Sequence, residues 1–263
     1  MNKHILSLLF CVLGNMHAEP PREIDPSLYN AYTLDNQIPV LHRYLDDSYS
    51  SDTPRFWSKS SVDKNIAAVR EGKSFYYGTT DQFLYKMLSR RSIQGKRVLI
   101  VGSQNPIYEA VVLAFGGYPV TVEYNNIETD DPRLEIYTVE QFRNNTEKFD
   151  AILSISSIEH DGLGRYGDPI NPNGDLEFMH KAKSYLKDDG MFFLAVPVGK
   201  DCLVWNVHRI YGARRLPLLL KEWNLIDSEG FSTKDFRRKL GMCAHQPTLC
   251  LTKNETGVST LPF

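Results

Sequence analysis

The sequence predicts an α/β fold organised around a mainly parallel sheet. Three observations point there. Continuous apolar runs at residues 98–101 (VLIV), 120–122, 151–155 and 191–196 (MFFLAV) read as strands buried on both faces. Helical patterns separate them. Each run also ends on a glycine, an acid, a polar loop or a proline. Strand–helix alternation implies right-handed crossovers and a ligand crevice beyond the carboxyl ends of the strands.

Taken in order, residues 1–18 hold Lys3, an apolar run at 5–13 and Ala18 before Glu19-Pro20-Pro21. This is the pattern of a secretory signal peptide, its apolar run short for a bilayer; an uncleaved anchor or a buried helix are the alternatives. Residues 19–78 are polar, dotted with prolines and aromatics, and read as an N-terminal arm with short helices, one over 62–70. Thr79 and Gln82 have capping-box spacing. The helix they open carries an apolar stripe, Phe83, Leu84, Met87 and Leu88, and the segment ends at Gly95.

After strand 98–101 comes a turn from Gly102 to Pro106, with Pro106 suited to the first turn of a helix over 108–115. Gly116-Gly117 closes that helix. Strand 120–122 ends at Glu123. Ile136 lies in a short third strand, and 139–143 is a short helix. Strand 151–155 runs into a loop bearing Glu159, His160, Asp161, Arg165, Tyr166, Asp168 and Asp175 among four glycines. Charges held among glycines directly after a buried strand suggest a site on a rigid edge. A helix over 175–186 follows, which Asp175 is suited to cap. Residues 187–190 turn into the fifth strand. A helix over 216–223, a short strand at 225–226 and a late strand at 248–251 complete a main domain of 79–256, with 257–263 as a tail.

Composition bounds the function. The 263 residues are 42% hydrophobic and 24% charged, with a formal net charge of −2. That balance gives no ground for a nucleic-acid partner, and no stretch beyond the leader has the length of a membrane span. The pairs Arg214-Arg215 and Arg237-Arg238-Lys239 read as solvated faces. Sequons at Asn144 and Asn254 fit a lumenal or secreted glycoprotein. Beyond the leader remain Cys202, Cys243 and Cys250. Either Cys243 and Cys250 pair across a hairpin, or all three are small buried apolar residues.

The chemistry concentrates in two places. Gly102 follows a buried strand and opens a helix, and Glu123 ends the next strand about 20 residues on, the offset at which an acid takes the two hydroxyls of a ribose. VLIVG, VTVEY, FDAILSISSIEH and SYLKDDGMFFLAVP, in that order over residues 97–251, resemble the motifs of class I S-adenosylmethionine-dependent methyltransferases. SSIEHDGLGRYGDPINPNGD, VPVGKD and HRIYGARRLP resemble a nematode-type family of domains of unknown function. The methyltransferase resemblance implies a Rossmann-like seven-stranded sheet with its last strand antiparallel and S-adenosylmethionine as cofactor. It places Gly102, Ser103, Glu123, Ser156 and Ser157 on the cofactor. The turn Ser103-Gln104-Asn105-Pro106 departs from the methyltransferase pattern, which has further glycines there.

Methyl transfer needs an aligned acceptor and, for a hydroxyl or carboxyl, a base. His160 is the candidate base, or else a structural histidine. Asp161 and Asp168 are candidates to orient it or to bind the acceptor. Arg165, Tyr166, His208, Arg209 and Tyr211 are candidates for the acceptor pocket. No ligand spacing supports a metal. Two functions follow: a methyltransferase of the secretory pathway acting on a polar small molecule or glycan, or a non-catalytic relative used as a binding or scaffold module.

Overall fold

The computed structural model describes residues 19–47, 54–239 and 245–254. The predicted signal peptide, the tail and Cys243 lie outside these residues. In chain order the elements are α1 (Tyr29–Thr33), β1 (Val40–Arg43), β2 (Arg55–Trp57), α2 (Lys59–Arg70), α3 (Thr79–Arg90), β3 (Arg97–Val101), α4 (Ile107–Ala114), β4 (Tyr118–Glu123), β5 (Ile127–Thr129) and β6 (Glu135–Thr138). They continue with α5 (Val139–Phe142), β7 (Phe149–Ile155), α6 (Gly174–Tyr185), β8 (Leu186–Ala195), β9 (Cys202–Asn206), β10 (His208–Ile210), α7 (Arg215–Leu219), β11 (Trp223–Glu229) and β12 (Thr248–Lys253).

The main sheet has seven strands in the order β11-β12-β8-β7-β3-β4-β6. β3, β4, β6, β7 and β8 run parallel to one another, whereas β12 is antiparallel to both β8 and β11. The fold is therefore α/β and Rossmann-like, with an antiparallel last strand. The continuous apolar runs form its centre because helices cover both faces. Side chains alternate across the sheet. Leu99, Ile152 and Phe192 face Met179 and Ala182 of α6 and Leu216 of α7. Val98, Ile100, Ala151 and Leu153 face Leu84 and Met87 of α3 and Val111 and Val112 of α4. Each Val, Leu, Ile, Phe or Met side chain among them, taken from water, contributes about 1.5–3 kcal/mol.

Several local expectations are corrected. The N-cap of α3 is Gly78 at φ 55°, with no side-chain cap. Gln82 Nε2 donates instead to Gly72 O and Ser74 Oγ, at 2.8 and 2.9 Å, so Thr79 and Gln82 form no capping box. Residues 187–190 are no separate turn but lie within β8, where the register against β7 shifts between Phe149 and Ala151. Asp175 makes no cap; it is buried in an ion-pair cluster. Arg215 belongs to that cluster and is buried, not on a solvated face.

The arm is stitched down more firmly than its composition suggests. β1 adds in parallel to β9, which pairs with β10 in a second, three-stranded sheet. β2 pairs in parallel with β5. Val62 and Ile66 of α2 pack on Ala110 of α4. Cys202 and Cys250 are free and buried, the apolar alternative. Asn254 is also buried, at 7% exposure, which leaves no room for a glycan on its side chain and corrects its reading as an acceptor. Asn144 is exposed in the turn after α5.

Candidate active site

The strand order reverses between β3 and β7, because β4 and β6 lie to one side of β3 while β7 and β8 lie to the other. Loops leaving adjacent strands in opposite directions open a crevice at such a point. There the structure has a cavity of about 1180 Å³. That exceeds the ~300–1,000 Å³ usual for one small ligand and allows for two. Of the predicted site residues, all but Arg209 and Tyr211 line it.

The first wall comes from β3 and β4. Gly102 has φ 75°, and a Cβ there would fall 2.2 Å from Ser157 Oγ, so the loops after β3 and β7 meet at this glycine. Ser103 N donates to Glu123 Oε2 at 2.8 Å, and Asn125 Nδ2 to Glu123 Oε1 at 3.3 Å. Asn125 N also donates to Glu123 Oε1, at 3.5 Å. A carboxylate offers about four acceptor positions, so these bonds fix Glu123 and leave it able to accept one more. Burial raises its pKa, against the opposing bond from Ser103 N. Behind the loop lies Glu109, fully buried within the otherwise apolar α4. Burial pushes it up to about 7.

The second wall is the loop after β7. Ser156, at φ 51°, donates through Oγ to Glu159 Oε1 at 2.7 Å and accepts from Gln246 Nε2 at 3.0 Å. A serine in the left-handed region is backbone strain of the kind that collects at working sites. Glu159 Oε2 is buried with no hydrogen-bond partner, as are His208 Nε2 and Gln246 Oε1. Burial pushes Glu159 up to about 7.

His160 Nδ1 lies 2.6 Å from Val207 O. A carbonyl only accepts, so Nδ1 carries the proton and Nε2 keeps its lone pair, 3.7 Å from Glu159 Oε1. Burial lowers His160 to about 3 and His208 to about 4, so both rings are neutral near pH 7. Of the two neighbours, Glu159 has the affinity for a proton that acid–base work near neutrality needs. Asp161, also on the wall, is pushed well above its ordinary value by burial.

Several predicted binding residues are already engaged within the chain. Arg165 Nε donates to Asp47 Oδ2 at 2.7 Å, with its guanidinium 4.8 Å over Tyr166, whose ring meets His160 edge-on. Asp168 reaches the cavity wall, but its carboxylate accepts from the backbone of Gly162, Gly164 and Tyr166 and so clamps the loop. Arg209 is buried and donates to the carbonyls of Asp161, at 2.6 Å, and Pro172, at 3.2 Å. Tyr211 is buried and donates to Asp175 Oδ2 at 3.0 Å. Neither lines the cavity.

Sequence reasoning left Glu159, Glu109 and Gln246 out of the site. A lone acid in IYEAVVLA marks Glu109, and its place beside His160 marks Glu159. Gln246 has no local signal. Among the described residues no group of three or more His, Cys, Asp or Glu is placed to hold a metal ion, and no helix is long and apolar enough to cross a membrane.

Comparison with known proteins agrees with the fold. The chain is similar to a Burkholderia thailandensis 1,6-didemethyltoxoflavin-N1-methyltransferase, solved with 1,6-didemethyltoxoflavin and S-adenosylhomocysteine, at 15% identity and a TM-score of 0.50, covering 74% of this chain and 87% of that one. An S-adenosylmethionine-dependent methyltransferase from Clostridium acetobutylicum aligns at 12% identity and a TM-score of 0.46, covering 74% and 98%. A TehB-like methyltransferase from Corynebacterium glutamicum aligns at 12% identity and a TM-score of 0.41, covering 74% and 97%. No curated protein matches the sequence. Residues 95–248, which hold six of the seven main-sheet strands, the cavity loops after β3, β4 and β7 and the Asp175 cluster, match one family, and the chain belongs to it: Caenorhabditis protein of unknown function, DUF268.

Proposed function

We propose that the chain is an S-adenosylmethionine-dependent methyltransferase acting on a polar acceptor, a small molecule or a glycan, in the secretory pathway. The observation that carries this reading is Glu123, held by Ser103 N and Asn125 at the rim of the switch-point cavity with an acceptor position left over. The residues present fit such a cofactor. Glu123 is oriented to accept from a ribose hydroxyl, Gly102 lets the backbone come close, and unpartnered polar atoms of Glu159, His208 and Gln246 belong to residues of the same wall. The cofactor supplies an electrophilic methyl group. The chain's own residues align the acceptor, keep out bulk water and take up a proton, with Glu159 and His160 nearest that task.

Calorimetry of the full chain with S-adenosylmethionine and S-adenosylhomocysteine tests this. Binding is expected, and Glu123→Ala should weaken it about 10- to 100-fold, since a hydrogen bond to a charged group contributes about 1.5–3 kcal/mol. No heat and no thermal stabilisation with either compound would sink the proposal. The second reading, a non-catalytic binding module, is favoured by the turn at 103–106, where Ser103 N is engaged by Glu123. Under it the same titrations are silent.

A further inference from the structure

We propose that Glu109 is a positioning residue for the cofactor loop: it carries a proton that completes the hydrogen bonding of Ser103, and losing that proton loosens the grip of the site on its nucleoside ligand. This rests on the cofactor site proposed above.

The geometry contains a count that does not close without that proton. Ser103 Oγ lies 3.0 Å from Asn105 O and 3.1 Å from Glu109 Oε2. A hydroxyl has one hydrogen to give. With Glu109 ionised, two acceptors compete for it. With a proton on Glu109 Oε2, that acid donates to Ser103 Oγ, and Ser103 Oγ donates to Asn105 O. Glu109 Oε1 meanwhile accepts from Thr121 Oγ1 at 2.7 Å. Every polar atom then has a partner, which is what burial demands of such a group.

The arrangement reaches the ligand side of the loop because Ser103 faces both ways. Its hydroxyl belongs to the buried cluster, while its N–H holds Glu123. Ionising Glu109 draws the Ser103 hydrogen away from Asn105 and sets a second negative charge behind Glu123. On the surrounding elements, β2 presents Arg55, whose Nη1 donates to Gln104 O at 3.5 Å and whose charge acts on Glu123. β4 presents Glu123, which pushes Glu109 in the same direction as its burial does, and α2 presents Asn65, whose Nδ2 donates to Pro106 O at 3.2 Å. Burial and Glu123 thus place the titration of Glu109 near neutrality, at about 7.

The experiment is calorimetric titration of the full chain with S-adenosylhomocysteine at pH 6 and pH 8.5. Affinity should fall about fivefold at the higher pH, the equivalent of one neutral hydrogen bond of about 1 kcal/mol. Glu109→Gln keeps the shape, donates to Ser103 through its amide and cannot ionise, so its affinity should be the same at both pH values. Ser103→Ala removes the link and should flatten the dependence as well, which covers the case in which Glu109→Gln fails to fold. Glu159 titrates in the same range, so Glu159→Gln is the control, and the fivefold dependence should persist in it. A wild-type affinity that is level across this range overturns the proposal, and so does a slope surviving in Glu109→Gln. Absence of any S-adenosylhomocysteine binding at either pH removes the cofactor reading itself, and this inference with it.

Discussion

Asp175→Ala should be among the most damaging single substitutions in the chain, although Asp175 does not line the cavity. Its carboxylate is fully buried and accepts from Arg215 Nε at 2.9 Å, Arg215 Nη2 at 2.6 Å and Tyr211 OH at 3.0 Å, with Arg209 Nε 3.7 Å away. These attractions outweigh its burial and hold its pKa below the ordinary value. Removing it leaves two buried guanidinium groups with no counter-charge. Breaking a buried pair from one side costs about 3–5 kcal/mol, or a fall in melting temperature of about 10 °C for a domain of this size. Urea unfolding followed by fluorescence of the buried Trp57, Trp205 and Trp223 measures it directly. Asp175→Asn keeps hydrogen-bond acceptors without the charge and should fall between. The sign of the pH dependence follows: the contribution of Asp175 is present above the unfolded carboxylate range and is lost as pH falls through its lower folded value. Asp175→Asn should lack that acid-side loss. A cost below about 1 kcal/mol for Asp175→Ala, typical of a solvated pair, would refute the claim that this cluster anchors the loop.

Other outcomes follow from the same coordinates. Glu159 has a folded value of about 7 against an ordinary 4.5, so the fold favours its neutral form; the penalty is absent below pH 4.5 and complete above pH 7. At about 1.36 kcal/mol per unit, Glu159→Gln should be up to about 3 kcal/mol more stable than wild type at pH 8.5 and equal to it at pH 4, read by urea midpoints; equal midpoints at pH 8.5 would count against a buried neutral acid. Gly102→Ala must both strain φ 75° and displace Ser157, so a loss of about 1–3 kcal/mol should come with loss of S-adenosylhomocysteine binding. Gly95→Ala is its control, since φ 69° is strained but nothing lies within 4 Å of the added Cβ; calorimetry should find its binding intact.

The sheet was legible because its signal is local. An apolar run such as VLIV needs only its own composition to declare a strand covered on both faces, and β3, β4, β7 and β8 were read that way. Glycine after β3 and an acid at the end of β4 mark one wall of the cavity on the same terms. What stayed hidden depends on distant partners. In sequence Arg215 reads as solvated, because arginine usually is, and Arg209 as part of the acceptor pocket; both are instead buried because Asp175, 40 and 34 residues earlier, meets them. β9 carries the run CLVWN, but its pairing with β1 joins segments about 160 residues apart, and no window contains both. The capping box failed for a different reason. Thr79 and Gln82 had the right spacing, yet Gly78 takes the cap position at positive φ and turns the chain so that Gln82 reaches back to Gly72.

That hidden half changes what the glycine-spaced loop after β7 is for. From sequence, Arg165, Tyr166 and Asp168 make its rear, residues 162–175, a candidate to meet an acceptor. In the fold, the rear carries Asp168 clamping the turn and Asp175 in the ion-pair cluster, while the front, Ser156 to Asp161, faces the cavity. β10 ties the two together through the period of a strand. Successive side chains point to opposite faces, so His208 reaches the cavity wall while Arg209 turns away and donates to the carbonyls of Asp161 and Pro172. One short strand thus supplies a wall of the site and the bolt that holds the opposite wall. The charges of the rear act through the backbone of the front. The side chains that face the cavity here are those of Glu159, His160, Asp161, Tyr166 and His208, and buried residues that do not line it hold their backbone in place.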